Sequence, residues 1–164
     1  MPSFLRQFVF PTINRRFLVR LSAVCLISYL VFGFLLLPLR IQGRSMEPTY
    51  HDGSCAFCWR PMYFLSPPKR FDVVAVRFAG HHVMLLKRIV ALPGETLEYQ
   101  QGKLYINGQL VKEPHVRLTS QWNLSTRTVK PGNVYIIGDN RSLSMKRHKI
   151  GQVSMERIVG GVVL

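Results

Sequence analysis

The strongest constraint on this chain is an apolar segment at residues 21–39, which contains 19 residues and no charge. As a helix it would extend about 28 Å, close to the roughly 30 Å hydrocarbon core of a bilayer. A cleaved secretory leader has a shorter apolar core of about 7–15 residues, followed by a site of small residues. Residues 38–42 read PLRIQ and offer no such site. We therefore predict a retained transmembrane anchor at residues 17–40.

Basic residues beside this segment predict its orientation. Four arginines precede it and two follow it closely, namely Arg6, Arg15, Arg16 and Arg20 before it and Arg40 and Arg44 after it. Basic flanks are retained on the cytoplasmic side, so residues 1–16 are expected to form a short cytoplasmic N-terminus. Residues 41–164 are expected to lie outside the cytoplasm, and about 124 residues are enough for one compact domain.

The strong positive charge, with 22 Lys and Arg against 8 Asp and Glu, has three interpretations. Nucleic-acid binding is disfavoured, because the chain lacks zinc-finger spacing, a helix-turn-helix and an aromatic-basic RNA motif. Attraction to anionic lipid headgroups, worth roughly 1 kcal/mol per basic residue near the surface, fits a domain tethered at a bilayer. The third interpretation, a positive surface that only keeps the domain soluble, is compatible with attraction to lipid.

The rest of the chain has the pattern of a β-domain. Runs of β-branched and aromatic residues, separated by Gly and Pro turns, predict short strands. These are residues 53–59, 71–78, 83–92, 97–99, 103–106, 109–111, 134–137 and 158–164. Asn107-Gly108 is a type I′ hairpin signal, and residues 112–130 are expected to form a surface loop. The predicted fold is mainly β, with irregular antiparallel sheets or a barrel.

Cys55 and Cys58 form a C-x-x-C, a spacing that also occurs in redox and zinc sites. Residues three apart on a strand face opposite sides, so these thiols should diverge. A second C-x-x-C that would complete four zinc ligands is missing from the sequence. We interpret both as packing cysteines and expect no metal or cofactor.

Ser45 follows the apolar segment by six positions, so we expect this candidate nucleophile near the membrane surface. A serine hydroxyl needs an activating base at neutral pH. His81 and His82 are adjacent on or beside a strand and point to opposite faces, so they cannot act together. The other histidines lack a carboxylate partner in a spaced motif; they are His51, His115 and His148.

Lys87 is the better candidate for the base. On a strand it shares a face with the apolar Leu85 and Ile89, while Arg88 takes the other face. An ordinary lysine, with a pKa near 10.4, is almost fully protonated at neutral pH. Burial can lower that pKa by roughly 3–5 units, at a cost of about 1.4 kcal/mol per unit. The alternative is a strand lysine that extends its ammonium into water.

Three blocks, together with the anchor, resemble the type I signal peptidases. They are residues 45–49 (SMEPT), 87–95 (KRIVALPGE) and 138–144 (GDNRSLS), in the order and spacing of that family. Its members are membrane-anchored proteases with a Ser–Lys dyad. The resemblance implies that Ser45 is the nucleophile, that Lys87 is the general base, and that the Ser144 hydroxyl orients the lysine. It further assigns Gly138, Asp139 and Asn140 to the turn that places Ser144, and Met46 and Pro48 to the loop that shapes the substrate groove.

The resemblance also implies the β-fold shared with the self-cleaving repressors. Substrate would then bind in a shallow groove as an added strand, with pockets for small residues at −1 and −3. The backbone N–H of Ser45 would donate to the oxyanion.

The sequence departs from the family pattern in two places. Some members have a serine where this chain has Gly43, so a second oxyanion donor must come from elsewhere or is absent. After Ser144 the family has an acidic residue, Ser and Arg, whereas this chain has Lys146, Arg147 and His148. If Lys146 lies close to Lys87, its charge would disfavour protonation of that lysine.

The leading hypothesis is a serine endopeptidase of the inner (plasma) membrane that removes signal peptides from exported preproteins. Its partners would be those signal peptides and membrane lipid, with no nucleic acid. One alternative is a dedicated processing peptidase, such as a conjugative pilin-maturing enzyme or a mitochondrial inner-membrane protease. Another is an inactive membrane-tethered paralogue. The need for a partner subunit stays open.

Overall fold

The computed structural model describes residues 13–64, 66–79, 83–145 and 151–163. The chain divides into two compact units between Leu37 and Pro38.

The first unit contains helix α1, Arg15–Leu30, which continues as a π-helical turn, Val31–Leu35. The Asn14 side chain caps its start by accepting a hydrogen bond of 2.8 Å from the Phe17 N–H. Together these 21 residues form the one helix in the described part of the chain that is long and apolar enough to cross a membrane. The apolar segment is therefore helical up to Leu35, and the predicted anchor at residues 17–40 stays a prediction.

The helix ends at Leu35, earlier than the helix expected from residues 21–39, and strand β1, Leu36–Arg40, follows it. Pro38 explains the change, because proline lacks an N–H, clashes with a preceding helical turn and restricts the residue before it to an extended conformation. Strand β1 is an edge strand, where proline is tolerated.

Strand β1 and the strands that follow it form two sheets. The strands that follow are β2 Cys55–Trp59, β3 Val73–Ala79, β4 Val83–Ala91, β5 Thr96–Gln100, β6 Lys103–Ile106, β7 Gln109–Val111, β8 Leu124–Thr128, β9 Asn133–Ile137, β10 Gly151–Ser154 and β11 Ile158–Val163. The large sheet has the order β1-β2-β11-β3-β4-β9-β10, and the small sheet has the order β7-β6-β5-β8. Neighbours from β2 onwards pair antiparallel. The predicted mainly-β, antiparallel fold is confirmed.

Residues 87–91 of β4 and residues 134–137 of β9 are buried on both faces of their strands. Alternate residues point to opposite sides of a strand: Ile89 and Ile136 join one apolar cluster, while Val90 and Ile137 join another that includes the small sheet. Burial on both faces explains why two consecutive basic residues, Lys87 and Arg88, are only 3% and 8% exposed.

The predicted loop at residues 112–130 is wrong in part. Strand β8 lies within it, and Trp122 and Val129 are buried in the core. Strand β8 reads LSTRT and is mostly exposed, so it lacks the apolar alternation that reveals a half-buried strand. The hairpin signal, by contrast, is confirmed: Asn107 and Gly108 have φ angles of 51° and 76°, as a type I′ turn requires.

The two cysteines of the C-x-x-C are free thiols on opposite faces of β2. Cys58 is buried, whereas Cys55 is exposed, so the interpretation as a packing residue is wrong for Cys55. Burial raises the pKa of Cys58 to about 11, with Arg60 opposing part of that effect. Cys58 therefore stays protonated at neutral pH, which fits a packing residue.

Candidate active site

Ser45, the candidate nucleophile, lies in residues 41–54 between β1 and β2, which we call the nucleophile loop. Backbone bonds close the base of this loop. The Ile41 N–H donates to the Ser54 carbonyl at 2.8 Å, and the Gly53 N–H donates to the Ile41 carbonyl at 2.9 Å. Within the loop, Gly43 has a φ angle of +91°, a region that favours glycine, and its N–H donates to Asp52 Oδ1 at 2.8 Å. The loop leading to Ser45 is therefore held at its base and at its first turn.

Met46 fixes the same loop by packing into the core. Its side chain is 1% exposed and packs with Ile41, Tyr50 and Ala56. Pro48, which follows a cis peptide bond, is half-buried. Met46 thus supports the nucleophile loop from the core side, whereas Pro48 lies nearer the surface.

Lys87 reaches Ser45 from the large sheet. It lies on β4 opposite Val74 of β3, is 3% exposed, and its Nζ donates to Ser45 Oγ at 2.5 Å. The amine is therefore not extended into water. The structure brings together the two residues that the sequence singled out as nucleophile and base.

The residues after β9 hold the nucleophile loop, and we call residues 138–141 the supporting turn. The Asn140 N–H donates to the Ser45 carbonyl at 3.0 Å, and its Nδ2 donates to the Arg44 carbonyl at 3.0 Å. Its Oδ1 accepts from the Ser142 hydroxyl at 2.6 Å. Asn140 is 1% exposed, so one buried residue holds the carbonyls of the two peptide groups that flank Ser45.

A buried ion pair lies beside these residues. Arg88 donates to both carboxylate oxygens of Asp139, from Nε at 2.8 Å and from Nη2 at 2.6 Å, and its Nη1 donates to the Phe71 carbonyl at 2.7 Å. Thr49 of the nucleophile loop donates to Asp139 Oδ2 at 2.6 Å. Bidentate pairs of this kind are strong and geometrically specific. One buried carboxylate therefore joins β4, the supporting turn and the nucleophile loop.

Sequence reasoning did not find the roles of Arg88 and Thr49. Each lies next to a residue that it did select, since Arg88 follows Lys87 and Thr49 follows Pro48. The available signal was that Arg88 is expected on the strand face opposite Lys87, and that Asp139 is expected on a turn.

With this geometry, the chain can be compared with known proteins. A family model described as signal peptidase, peptidase S26, matches residues 14–164. The chain belongs to the signal peptidase family. Relatives support the assignment over most of the chain: it is 32% identical to the signal peptidase I of Bacillus licheniformis, covering 82% of this chain and 78% of the relative. It is 33% identical to signal peptidase I T of Bacillus subtilis strain 168, covering 82% and 76%.

A solved structure supports the fold. The crystal structure of a signal peptidase I from Enterococcus faecalis V583 matches with a TM-score of 0.50 and 27% identity, covering 60% of this chain and 98% of that one. The resemblance read from the three sequence blocks is thus confirmed, and the chain is a signal peptidase and a serine endopeptidase. Its apolar N-terminal helix fits the membrane anchor of such enzymes.

The roles predicted for several other site residues of this signal peptidase stay predictions. The Ser144 side chain is exposed and makes no hydrogen bond to Lys87 within the described residues, so its orienting role stays a prediction. Lys146, Arg147 and His148 lie outside the described residues, as do His81 and His82. In the described part, neither His51 nor His115 donates to or accepts from Ser45.

Proposed function

We propose that this signal peptidase cleaves signal peptides from exported preproteins with Ser45 as the nucleophile and Lys87 as the general base. The observation that carries the proposal is the 2.5 Å separation between Lys87 Nζ and Ser45 Oγ at a lysine that is 3% exposed. Burial disfavours an ammonium ion relative to a neutral amine, and a neutral amine can accept the hydroxyl proton.

The chemistry follows from that proton transfer. Neutral Lys87 accepts the Ser45 proton as Oγ attacks the scissile carbonyl carbon, which forms a tetrahedral oxyanion. The resulting ammonium then donates this proton to the leaving amine as the peptide C–N bond breaks, leaving an acyl-enzyme. Water attacks the ester carbonyl and gives a proton to the same amine, which passes it to the Ser45 oxygen as the acyl C–O bond breaks. Each turnover therefore consumes one water and restores both residues.

The backbone N–H of Ser45 is the proposed oxyanion donor. It makes no hydrogen bond to the residues that the structure describes, so it is available to a developing charge. A serine at position 43 would have to adopt the φ angle of +91° that Gly43 has. Because this conformation is strained for serine, we do not expect a serine hydroxyl at position 43 to be the second oxyanion donor in a loop of this shape.

The proposed location is an inner (plasma) membrane, with the apolar helix Arg15–Leu35 as the anchor, the residues before it cytoplasmic and the β-domain after it outside the cytoplasm. The excess of arginines before the apolar segment supports this orientation. A mitochondrial inner membrane is the alternative host. In either membrane, Ser45 follows the apolar segment by six residues, so it would lie near substrates that are still embedded in the bilayer.

Substitutions in the substrate test the proposed specificity. With small-residue pockets at −1 and −3, replacing alanine at −1 of a preprotein by leucine is expected to slow cleavage by roughly 10²-fold or more, because the pocket cannot enclose the side chain. The measurement uses the full chain in lipid vesicles, with N-terminal sequencing of the product. Leucine at −2, which extends away from a bound strand on the other face, serves as control.

The same assay, run on a panel of preproteins, separates the alternatives. Cleavage of many unrelated signal peptides indicates a general peptidase, and cleavage of one or few indicates a dedicated processing enzyme. Cleavage of a preprotein with leucine at −1 at the control rate would contradict the small-residue pockets.

A further inference from the structure

Arg141 links the supporting turn to the small sheet. It follows Asn140 directly and is 3% exposed. Its Nε donates to the Gly138 carbonyl at 2.8 Å, which closes the supporting turn. Its two terminal nitrogens donate to the small-sheet side: Nη1 to Tyr99 Oη at 2.6 Å and Nη2 to Glu113 Oε1 at 2.6 Å.

Glu113 follows strand β7 in the segment that the sequence predicted as a surface loop. Its side chain is 8% exposed, and its Oε2 accepts a further bond of 3.1 Å from Arg141 Nη1. Tyr99, on β5, is 2% exposed, and its hydroxyl also donates to the Glu113 carboxylate at 3.2 Å. The guanidinium, the carboxylate and the phenol therefore form one closed network inside the domain.

The charges in this network support one another. Burial alone would raise the pKa of Glu113, but His115 and the Arg141 guanidinium outweigh it and hold this pKa below its ordinary value. His115 Nε2 lies 3.7 Å from Oε1, beyond hydrogen-bond range, so the two bonds from Arg141 are the firmer support. Burial would lower the pKa of Arg141, and Tyr99 and Glu113 raise it instead. Both partners stay charged at neutral pH.

Aromatic rings complete the enclosure of Arg141. Its guanidinium carbon lies 5.2 Å from the ring centroid of Tyr99 and 5.9 Å from that of Trp122, within the range of cation–π attraction. A guanidinium can serve this many partners because it presents five N–H donors in a rigid plane.

From these contacts we infer that Glu113 and Arg141 are positioning residues for the catalytic dyad, a role that rests on the proposed function of Ser45 and Lys87. The chain of bonds is continuous. Glu113 fixes Arg141, Arg141 holds the Gly138 carbonyl, and the adjoining Asn140 holds the Ser45 carbonyl at 3.0 Å. The small sheet therefore sets where Ser45 Oγ lies relative to Lys87 Nζ without touching substrate.

A loosened turn should lower the chemical rate more than substrate binding. Displacing a reacting group by about 1 Å can cost on the order of 10²-fold in rate. Glu113→Gln keeps the shape of the side chain and removes its charge, which leaves the guanidinium of Arg141 buried without a counter-ion. We expect kcat to fall roughly 10- to 100-fold with KM almost unchanged.

Arg141→Lys is the second variant, because it keeps the positive charge but lacks the planar fork. One ammonium cannot hold Gly138, Tyr99 and Glu113 in the same geometry, so we expect a similar loss in kcat. A lysine variant with wild-type kcat would overturn the inference, since charge alone would then suffice.

Glu95→Gln is the matched control. Glu95 is also a carboxylate in an ion pair, with Arg70, and it accepts from the Leu92 N–H at 2.8 Å. Within the described residues it has no hydrogen bond to the supporting turn or the dyad. We expect this variant to lose stability and keep kcat, when both variants are assayed in lipid vesicles well below their melting temperatures.

A pH–rate profile adds a readout that a purely structural role would not move. If the turn loosens, water reaches Lys87, and the midpoint of the ascending limb of kcat should rise toward the ordinary lysine pKa of about 10.4. An unchanged midpoint together with wild-type kcat in Glu113→Gln would contradict the inference. If Glu113→Gln does not fold, Tyr99→Phe, which removes one hydroxyl and no charge, should give a smaller loss of kcat in the same direction.

These outcomes separate the inference from the proposed function. Activity that survives loss of Ser45 or Lys87 would defeat the dyad, and the positioning role with it. Inactive dyad variants, combined with wild-type kcat in either Glu113→Gln or Arg141→Lys, would defeat the positioning role alone.

Discussion

Replacing Ser45 or Lys87 by alanine is expected to reduce preprotein cleavage by roughly 10⁴- to 10⁶-fold, the range seen when one member of a nucleophile–base unit is removed. Ser45→Ala removes the atom that forms the acyl-enzyme. Lys87→Ala leaves that atom in place without the amine that lies 2.5 Å away. The measurement is the single-turnover rate of cleavage by the full chain in lipid vesicles, with a preprotein in defined amount.

Two exposed residues of the same types serve as controls. Ser125, on β8, and Lys103, on β6, are both exposed, and their alanine variants should cleave at the wild-type rate. Because a dyad acts as a unit, the double variant Ser45→Ala/Lys87→Ala should be no slower than either single one. Turnover that persists at the wild-type rate in Ser45→Ala or Lys87→Ala would show that the dyad is assigned wrongly.

Replacing Asp139 by alanine is expected to lower the free energy of unfolding by about 3–5 kcal/mol, because it leaves the buried Arg88 without its counter-ion. The substitution also removes the acceptor of the Thr49 hydroxyl, so the nucleophile loop loses one of its attachments. Cleavage activity should therefore fall together with stability. Denaturant titration of the chain in detergent micelles measures the first effect, and the cleavage assay at a temperature where the variant is folded measures the second.

A double variant sharpens this prediction. Buried ion pairs can often be replaced by apolar residues at little cost, so Arg88→Met/Asp139→Leu should recover much of the lost stability. Activity should stay low, because Thr49 and the supporting turn still lack their common partner. Glu47→Ala is the control, since its partner Arg44 has a side chain that is 70% exposed and such pairs contribute at most about 1 kcal/mol. A loss below about 1 kcal/mol in Asp139→Ala would contradict the importance of the buried pair.

Local patterns explain why the sequence predicts so much of this fold and site. Strands with β-branched residues and glycine-marked ends, such as β3 and the β6–β7 hairpin, carry a period and turn chemistry that can be read directly. Lys87 stands out because it interrupts an apolar strand face. Ser45 stands out because it follows a membrane span within a family-like block.

Other features depend on partners distant in sequence, which local patterns do not encode. Strand β8 is polar and mostly exposed, so its pairing with β5 has no local signal. Glu113 looks like any loop carboxylate until the fold places it beside Arg141, 28 residues away. Asp139 and Thr49 are separated by 90 residues. Such contacts follow from the order of strands in the sheets, which the sequence predicted only in general terms.

The pH dependence of kcat/KM tests most directly the claim that a desolvated amine is the base. Lys87 must be neutral to accept the Ser45 proton, so the rate rises with pH as the amine loses its own proton. Since Lys87 is 3% exposed, burial should place the midpoint of this ascending limb well below the ordinary lysine value of about 10.4. An ascending limb centred at about 10 or above, the value of a solvated lysine, would contradict the account.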